Sequence, residues 1–295
     1  MRFKNQALLL GLPLGAFLLS QFIPTVVRPT AVMPPGEAAA QAPAAGRVEY
    51  TQFRSASLGA DVRCAISLPP SYDADSSRRY PVVIFLHGLF NDERDWEKRG
   101  VQDQLGELRA AGKVGEFIVA IPFGANSFFI NGKDGTRYED AIVKDFLPFV
   151  DGSYRTLGTP AKRAIQGISM GGFGALALFD DLPKPPASGG DARGRYRYEI
   201  ASKLFGAPPD MAFFKANSPL HLAKANAAKL KNLKIYFDVG QQDRYGFESG
   251  NAELHAILTA EGVKHEYFLV PGDHGWSFLA ARAEPAFTFV WNALK

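Results

Sequence analysis

The pentapeptide Gly167-Ile168-Ser169-Met170-Gly171 constrains this chain more than any other stretch. It follows the short run Arg163 to Gln166, centred on Ile165. It leads into Gly172-Phe173-Gly174-Ala175-Leu176-Ala177-Leu178, which reads as a helix start packed close to a sheet. Small residues flanking Ser169 let a chain pass from strand to helix in a turn so tight that the hydroxyl is held out at the sheet's edge. In a chain with 29 glycines the pattern alone is weak evidence, so its surroundings must agree with it.

The surroundings alternate. From Val48 onward the predicted strands are Arg63 to Leu68, Val82 to Leu86, Phe117 to Ile121, the Ile165 strand, Leu233 to Val239 and Glu266 to Val270. Val82 to Leu86 is apolar throughout, as expected of a strand covered on both faces. Predicted helices are Trp96 to Ala111, stopped by Gly112; Tyr138 to Val150, which Pro148 should bend or shorten; Ala252 to Ala260; and Pro285 to Ala293. Such alternation implies an α/β fold with a mostly parallel sheet and helices on both faces. With 46% hydrophobic residues, 23 Phe and 10 Tyr, residues 47–295 are ample for one large domain.

The N-terminal region has a different composition. Arg2 and Lys4 precede the apolar stretch Ala7 to Phe22, so residues 1–28 read as a signal peptide or an N-terminal anchor. Ala38-Ala39-Ala40 offers a cleavage site before Gln41, and residues 29–46 form an Ala/Pro-rich linker. The expectation is an exported protein, periplasmic or secreted, touching a membrane only if that anchor is kept. The single Cys64 cannot form an internal disulfide. The 33 basic and 30 acidic residues nearly cancel to +3, which does not suggest a nucleic-acid partner. The densest basic run, Arg193-Gly194-Arg195-Tyr196-Arg197, reads as a solvated loop.

A serine hydroxyl becomes nucleophilic when a base takes its proton, and the partners should leave the C-terminal ends of later strands, acid before histidine. That criterion sorts the histidines. His255 falls inside a helix, His265 at the wrong end of a strand, and His221 in a helix-like stretch; His274 follows the strand ending at Val270 and is the expected base. Asp243, in the loop after Val239, is the favoured acid over Asp238, which lies within a strand, and Asp273, which fits the chain order poorly. The oxyanion donors should be the backbone N–H groups of Met170 and of Leu89, in the loop opened by His87-Gly88. His87 is then a loop-shaping residue. Phe128 and Phe129 follow the strand ending near Ile121, where they line a substrate pocket or simply pack.

With these residues in hand, the chain from Val48 to Lys295 resembles the esterase-D-like family of α/β-hydrolases, which includes feruloyl and acetyl xylan esterases, S-formylglutathione hydrolases and mycolyltransferases. The resemblance rests on Leu68-Pro69-Pro70-Ser71-Tyr72, Tyr80-Pro81-Val82-Val83, His87-Gly88, Tyr138-Glu139-Asp140 and Tyr154-Arg155-Thr156. It continues through the elbow with Gly172-Phe173-Gly174, Asn217-Ser218-Pro219, Asp243 and Gly272-Asp273-His274-Gly275-Trp276. It implies the α/β-hydrolase fold and the same triad of Ser169, Asp243 and His274. In one respect the chain departs from the family. Leu178-Phe179 passes straight to Asp180-Asp181-Leu182-Pro183-Lys184-Pro185-Pro186, with no apolar run for the strand that normally follows the nucleophile helix.

The expected activity is that of a serine esterase, acting on a small-molecule or glycan-linked ester through an acyl-enzyme, with no cofactor and no metal. An acyltransferase of the mycolyltransferase type and a catalytically silent binding protein on the same scaffold are the alternatives.

Overall fold

Every residue of Val82–Leu86 is buried, and its side chains divide between two cores: Val82, Ile84 and Leu86 on one face, Val83 and Phe85 on the other. A strand apolar at every position belongs inside a sheet covered on both sides. The computed structural model describes residues 7–10, 46–172 and 192–295, with side chains over 46–172 and 198–295. In chain order the strands are β1 (Ala7–Leu10), β2 (Arg47–Ser55), β3 (Ala60–Leu68), β4 (Val82–Leu86), β5 (Ile118–Pro122), β6 (Arg163–Gly167), β7 (Lys234–Gly240) and β8 (Glu266–Val270). The helices among these residues are α1 (Asp95–Lys98), α2 (Val101–Ala110), α3 (Tyr138–Asp140), α4 (Leu147–Ser153), α5 (Ala192–Phe205), α6 (Met211–Asn217), α7 (Pro219–Ala225), α8 (Ala227–Leu230), α9 (Phe247–Ala260) and α10 (Trp276–Leu294).

The strands form one sheet in the order β2-β3-β5-β4-β6-β1-β7-β8. β3 runs antiparallel to β2 and β5, and every other pair is parallel. Helices α2 and α10 cover one face through Leu105, Phe278, Phe287 and Val290. On the other face, Ile142, Phe146, Leu147, Val150 and the α5 residues Ile200 and Leu204 pack against β4 and β5.

Several expectations are adjusted. The helix predicted over Trp96 to Ala111 is two helices, because Gly100 takes φ 72°, a left-handed conformation that stops α1 and opens α2. Pro148 does not end its helix. The chain is π-helical over Ala141–Phe146, and Pro148 sits in the first turn of α4, where the change in winding accommodates its missing N–H. The closing helix begins at Trp276 and carries Pro285 inside it. The Arg193–Arg197 run expected as a loop lies in α5. The predicted helix start at 173–178 and the Pro-rich run at 183–186 lie outside the described residues.

The expected gap in the sheet is filled from an unexpected source. Among the described residues no strand follows β6 before β7 in sequence. In space, Ala7–Leu10 lies between them, parallel to both, with Leu8 beside Ile165 and Ile235. A sheet interior leaves no unpaired backbone donors to bury, so a segment that the fold needs there can come from any part of the chain with apolar, extended character.

Core packing is aromatic-rich where α10 meets the sheet. Phe287 is 1% exposed, edge-on to Trp96 at 6.1 Å and stacked on Phe117 at 6.5 Å. Phe287→Ala leaves a cavity among rigid rings and is expected to cost about 3–5 kcal/mol. Urea unfolding monitored by tryptophan fluorescence measures it; a loss below about 1 kcal/mol would mean that α10 does not close this core.

Candidate active site

Parallel neighbours end at a common rim, and their outgoing loops meet there. Leu86, the end of β4, is aligned with Gly167, the end of β6; Gly240 of β7 is aligned with Val270 of β8. The loops carrying His87, Leu89, Ser169, Asp243 and His274 therefore all leave the same edge of the sheet.

The elbow is made by contact that leaves no room for side chains. A β-carbon at Gly167 would lie 2.1 Å from the Gly171 carbonyl oxygen, and one at Gly171 would lie 2.1 Å from that of Leu86. The Ile168 N–H donates to the Leu86 carbonyl (3.1 Å), and the Gly171 N–H to that of Ile168 (2.8 Å). Ser169 takes φ 53° between them. A non-glycine residue in that region costs on the order of 1–3 kcal/mol, and such strain persists where the surroundings over-determine it. Met170 is fully buried in the 3-10 turn Ser169–Gly172, directly after the hydroxyl-bearing residue.

At the neighbouring strand ends, His274 and Asp243 are in direct contact. His274 Nδ1 lies 2.7 Å from Asp243 Oδ2. A carboxylate only accepts, so Nδ1 carries the hydrogen and Nε2 keeps its lone pair. The other carboxylate oxygen accepts the Tyr245 N–H at 2.8 Å. The Tyr245 ring stands edge-on to the imidazole (4.3 Å between centroids), and the Phe247 ring lies against it at 4.7 Å. Burial in this aromatic setting pushes the imidazole down to about 4, against the opposing pull of the Asp243 hydrogen bond and charge. At neutral pH His274 is an uncharged acceptor.

The loop after β4 is held by two contacts. His87 Nδ1–H donates to the Gly88 carbonyl (2.8 Å), and Nε2 accepts the Gly124 N–H (2.8 Å). Burial holds His87 below the ordinary histidine value. It ties two loops together, as a loop-shaping residue should. Asn126 Oδ1 accepts the Phe90 N–H at 3.0 Å, which fixes the chain immediately after Leu89.

Phe128 and Phe129 pack into the interior behind the loop. They are 0% and 4% exposed and belong to the core that includes Leu86 and Met170. The Phe129 ring packs edge-on to His87 at 5.4 Å, filling the space beside Gly124. Rings so covered support the loop from behind.

The rejected candidates are engaged elsewhere. Asp238 accepts from Tyr236 Oη (2.5 Å) and Arg282 Nε (2.7 Å) inside β7, and its buried carboxyl is raised above the usual range by desolvation. His255 and His265 pair with one another at 2.7 Å, and His221 faces Ser218 Oγ at 3.2 Å. Arg244, Tyr245 and Phe247 are missed by motif reasoning, and Asp273 enters it only as a rival acid. Their one sequence signal is adjacency to residues already singled out. Among the described residues no group of three or more His, Cys, Asp or Glu is placed to hold a metal ion, and no helix is long and apolar enough to cross a membrane.

Known proteins share this arrangement of elements. Residues 55–282 match the family model described as "Putative esterase". Esterase Rv1288 of Mycobacterium tuberculosis is 25% identical over 263 residues, covering 77% of this chain and 56% of that protein. The chain thus spans little more than half the length of that relative. An acetyl esterase of Caldicellulosiruptor saccharolyticus is 26% identical over 224 residues, covering 70% of this chain and 81% of the relative. The solved structure of a ferulic acid esterase superposes with a TM-score of 0.67 at 24% identity, covering 84% of this chain and 98% of that one. These likenesses give the architecture above as the α/β-hydrolase fold. The family match spans most of the chain, from the last residue of β2 into α10. The chain belongs to the esterase family that this model describes.

Proposed function

We propose that this protein hydrolyses carboxylic esters through Ser169, His274 and Asp243, with an acyl-enzyme intermediate. The observation that carries the reading is the buried 2.7 Å contact of His274 Nδ1 with Asp243 Oδ2, in loops that leave the same sheet edge as the turn carrying Ser169. A neutral imidazole fixed at Nδ1 has Nε2 free to take the Ser169 proton as the hydroxyl oxygen bonds to the ester carbonyl carbon. Nε2 then returns that proton to the departing alcohol, and a water activated in the same way releases the acid. Asp243 holds the tautomer and balances the transient imidazolium. The N–H groups of Met170 and Leu89 serve the oxyanion; a donor of this kind is worth about 10²–10³ in turnover. The substrate is a small-molecule or glycan-linked ester, in keeping with the names of the relatives.

A p-nitrophenyl ester series on the wild type, Ser169→Ala and Asp243→Asn tests the assignment. The serine variant should lose about 10⁴–10⁶-fold in kcat and the asparagine variant about 10⁴-fold. Fluorophosphonate should label the wild type and not Ser169→Ala. Activity unchanged in Ser169→Ala refutes the mechanism.

The pH dependence follows from the direction of the histidine shift. Activity requires the unprotonated imidazole, so kcat/KM rises with pH through the His274 value in the free enzyme. That value is pushed down to about 4, so the acid limb is expected below the ordinary imidazole range near ~6.5. Profiles of kcat/KM at constant ionic strength locate it. A limb at or above that ordinary range would mean that burial does not lower the His274 value.

We further propose that residues 1–28 direct export, on the strength of Arg2, Lys4 and the apolar stretch behind them. Cleavage before Gln41 would remove Ala7–Leu10, and with it β1. Fractionation with intact-mass analysis of the recovered chain reads both at once. The protein is expected in the exported fraction; recovery from the cytoplasm with Met1 in place overturns the proposal.

A further inference from the structure

The residue after Asp243 and the residue before His274 form a second pair that crosses the first. Asp273 Oδ1 accepts from both the Arg244 backbone N–H and its Nε, each at 3.1 Å, and a guanidinium NH2 donates to Oδ2. Three bonds from one residue to one carboxylate make an unusually well-defined ion pair for partners 45% and 43% exposed. The rest of the two loops is laced in the same way. The Gln241 N–H donates to the Val270 carbonyl (2.8 Å) and the Gln242 N–H to that of Gly272 (2.9 Å). The Gly272 N–H returns a bond to Gln242 Oε1 (2.8 Å). A β-carbon at Gly240 would lie 2.3 Å from the Gly272 carbonyl oxygen, so the two loops touch backbone to backbone.

From this crossed arrangement we infer that Arg244 and Asp273 are positioning residues for the proposed hydrolysis: their ion pair holds the acid loop on the base loop and sets the charge beside His274. The inference rests on the reading of His274 as the base. The charged groups facing the imidazole are Asp243, Arg244 and Asp273, and the Tyr245 and Phe247 rings cover its sides. Asp273 precedes the imidazole in the chain and is not its hydrogen-bond partner, and Arg244 opposes its charge; the pair holds the Asp273 carboxyl down at about 2. Asp273 therefore stays anionic wherever the imidazole titrates. Its charge would stabilise imidazolium if left unopposed.

The two members consequently act on the base with opposite sign, which a merely structural contact would not do. Arg244→Gln leaves the Asp273 charge bare, so the acid limb of kcat/KM should move to higher pH. Asp273→Asn leaves the guanidinium, so the limb should move to lower pH. Shifts of about 0.3–1 pH unit are expected for partly exposed charges, shrinking as salt rises. Arg244→Lys keeps the charge and loses the fork, so its limb should stay near the wild-type position while kcat falls several-fold. The combined Arg244→Gln/Asp273→Asn variant should return the limb toward wild type with kcat still reduced.

Profiles are measured with a p-nitrophenyl ester on full-length protein, with thermal unfolding run on each variant and Ser169→Ala as the blank. Opposite shifts with Ser169-dependent activity support the inference. Limbs that stay put, or move the same way in both single variants, overturn it while leaving the hydrolase reading intact. Should Arg244→Gln not fold, the effect of the Asp273 charge is still read by comparing Asp273→Asn with the charge-keeping Arg244→Lys: a limb for Asp273→Asn at or above that of Arg244→Lys overturns the inference. Wild-type activity that survives in Ser169→Ala instead defeats the underlying reading.

Discussion

The backbone of the elbow is pressed against the end of β4 so closely that a β-carbon at Gly171 would stand 2.1 Å from the Leu86 carbonyl oxygen. Everything at the site depends on this contact. It puts Ser169 in the left-handed region and seats Met170 in the core. It also aligns the loop carrying Leu89 beside the turn. The glycines are needed because two backbones occupy the space that any side chain would take. Strain at Ser169 is sustained by the parallel pairing of β4 and β6, residue by residue from Val82–Arg163 to Leu86–Gly167.

Across the rim, a second contact of the same kind governs the histidine. The loops after β7 and β8 meet backbone to backbone at Gly240 and Gly272, and their side chains are laced on top of that contact. The imidazole is enclosed by two aromatic rings and oriented by a carboxylate whose other oxygen is already held. Desolvation and ion pairing pull it in opposite directions, and desolvation wins. An imidazole held this way is uncharged at neutral pH, the form that the proposed base role requires.

The sheet shows a different economy. Its centre, β5-β4-β6, is buried on both faces and draws on cores from α2 and α10 on one side and Ile142 to Val150 with α5 on the other. Between β6 and β7 the position is held by Ala7–Leu10, a segment far away in sequence that composition alone marks as a leader. One short apolar stretch carries two physical readings, because the features that suit a signal segment also suit an interior strand.

Strand identity was legible because burial on both faces demands uninterrupted apolar runs, and Val82 to Leu86 is such a run. The elbow was legible because only glycine tolerates its contacts. His274 and Asp243 followed from chain order and from where parallel strands end. Phe128 and Phe129 were not resolved, since an aromatic loop residue looks the same in sequence whether its ring faces a ligand or the core. The break at Gly100 and the passage of a helix through Pro148 were local backbone choices that propensity does not dictate. By itself, then, the sequence determined the α/β-hydrolase architecture and which residues are candidates for the triad, because both readings rest on backbone sterics and strand order. Only the tertiary structure decided what surrounds them: the Arg244–Asp273 cross-pair, the aromatic walls of His274, the Asn126 support of the Leu89 loop and the filling of the sheet by Ala7–Leu10. Those depend on groups meeting through space, and spacing along the chain does not encode such distances.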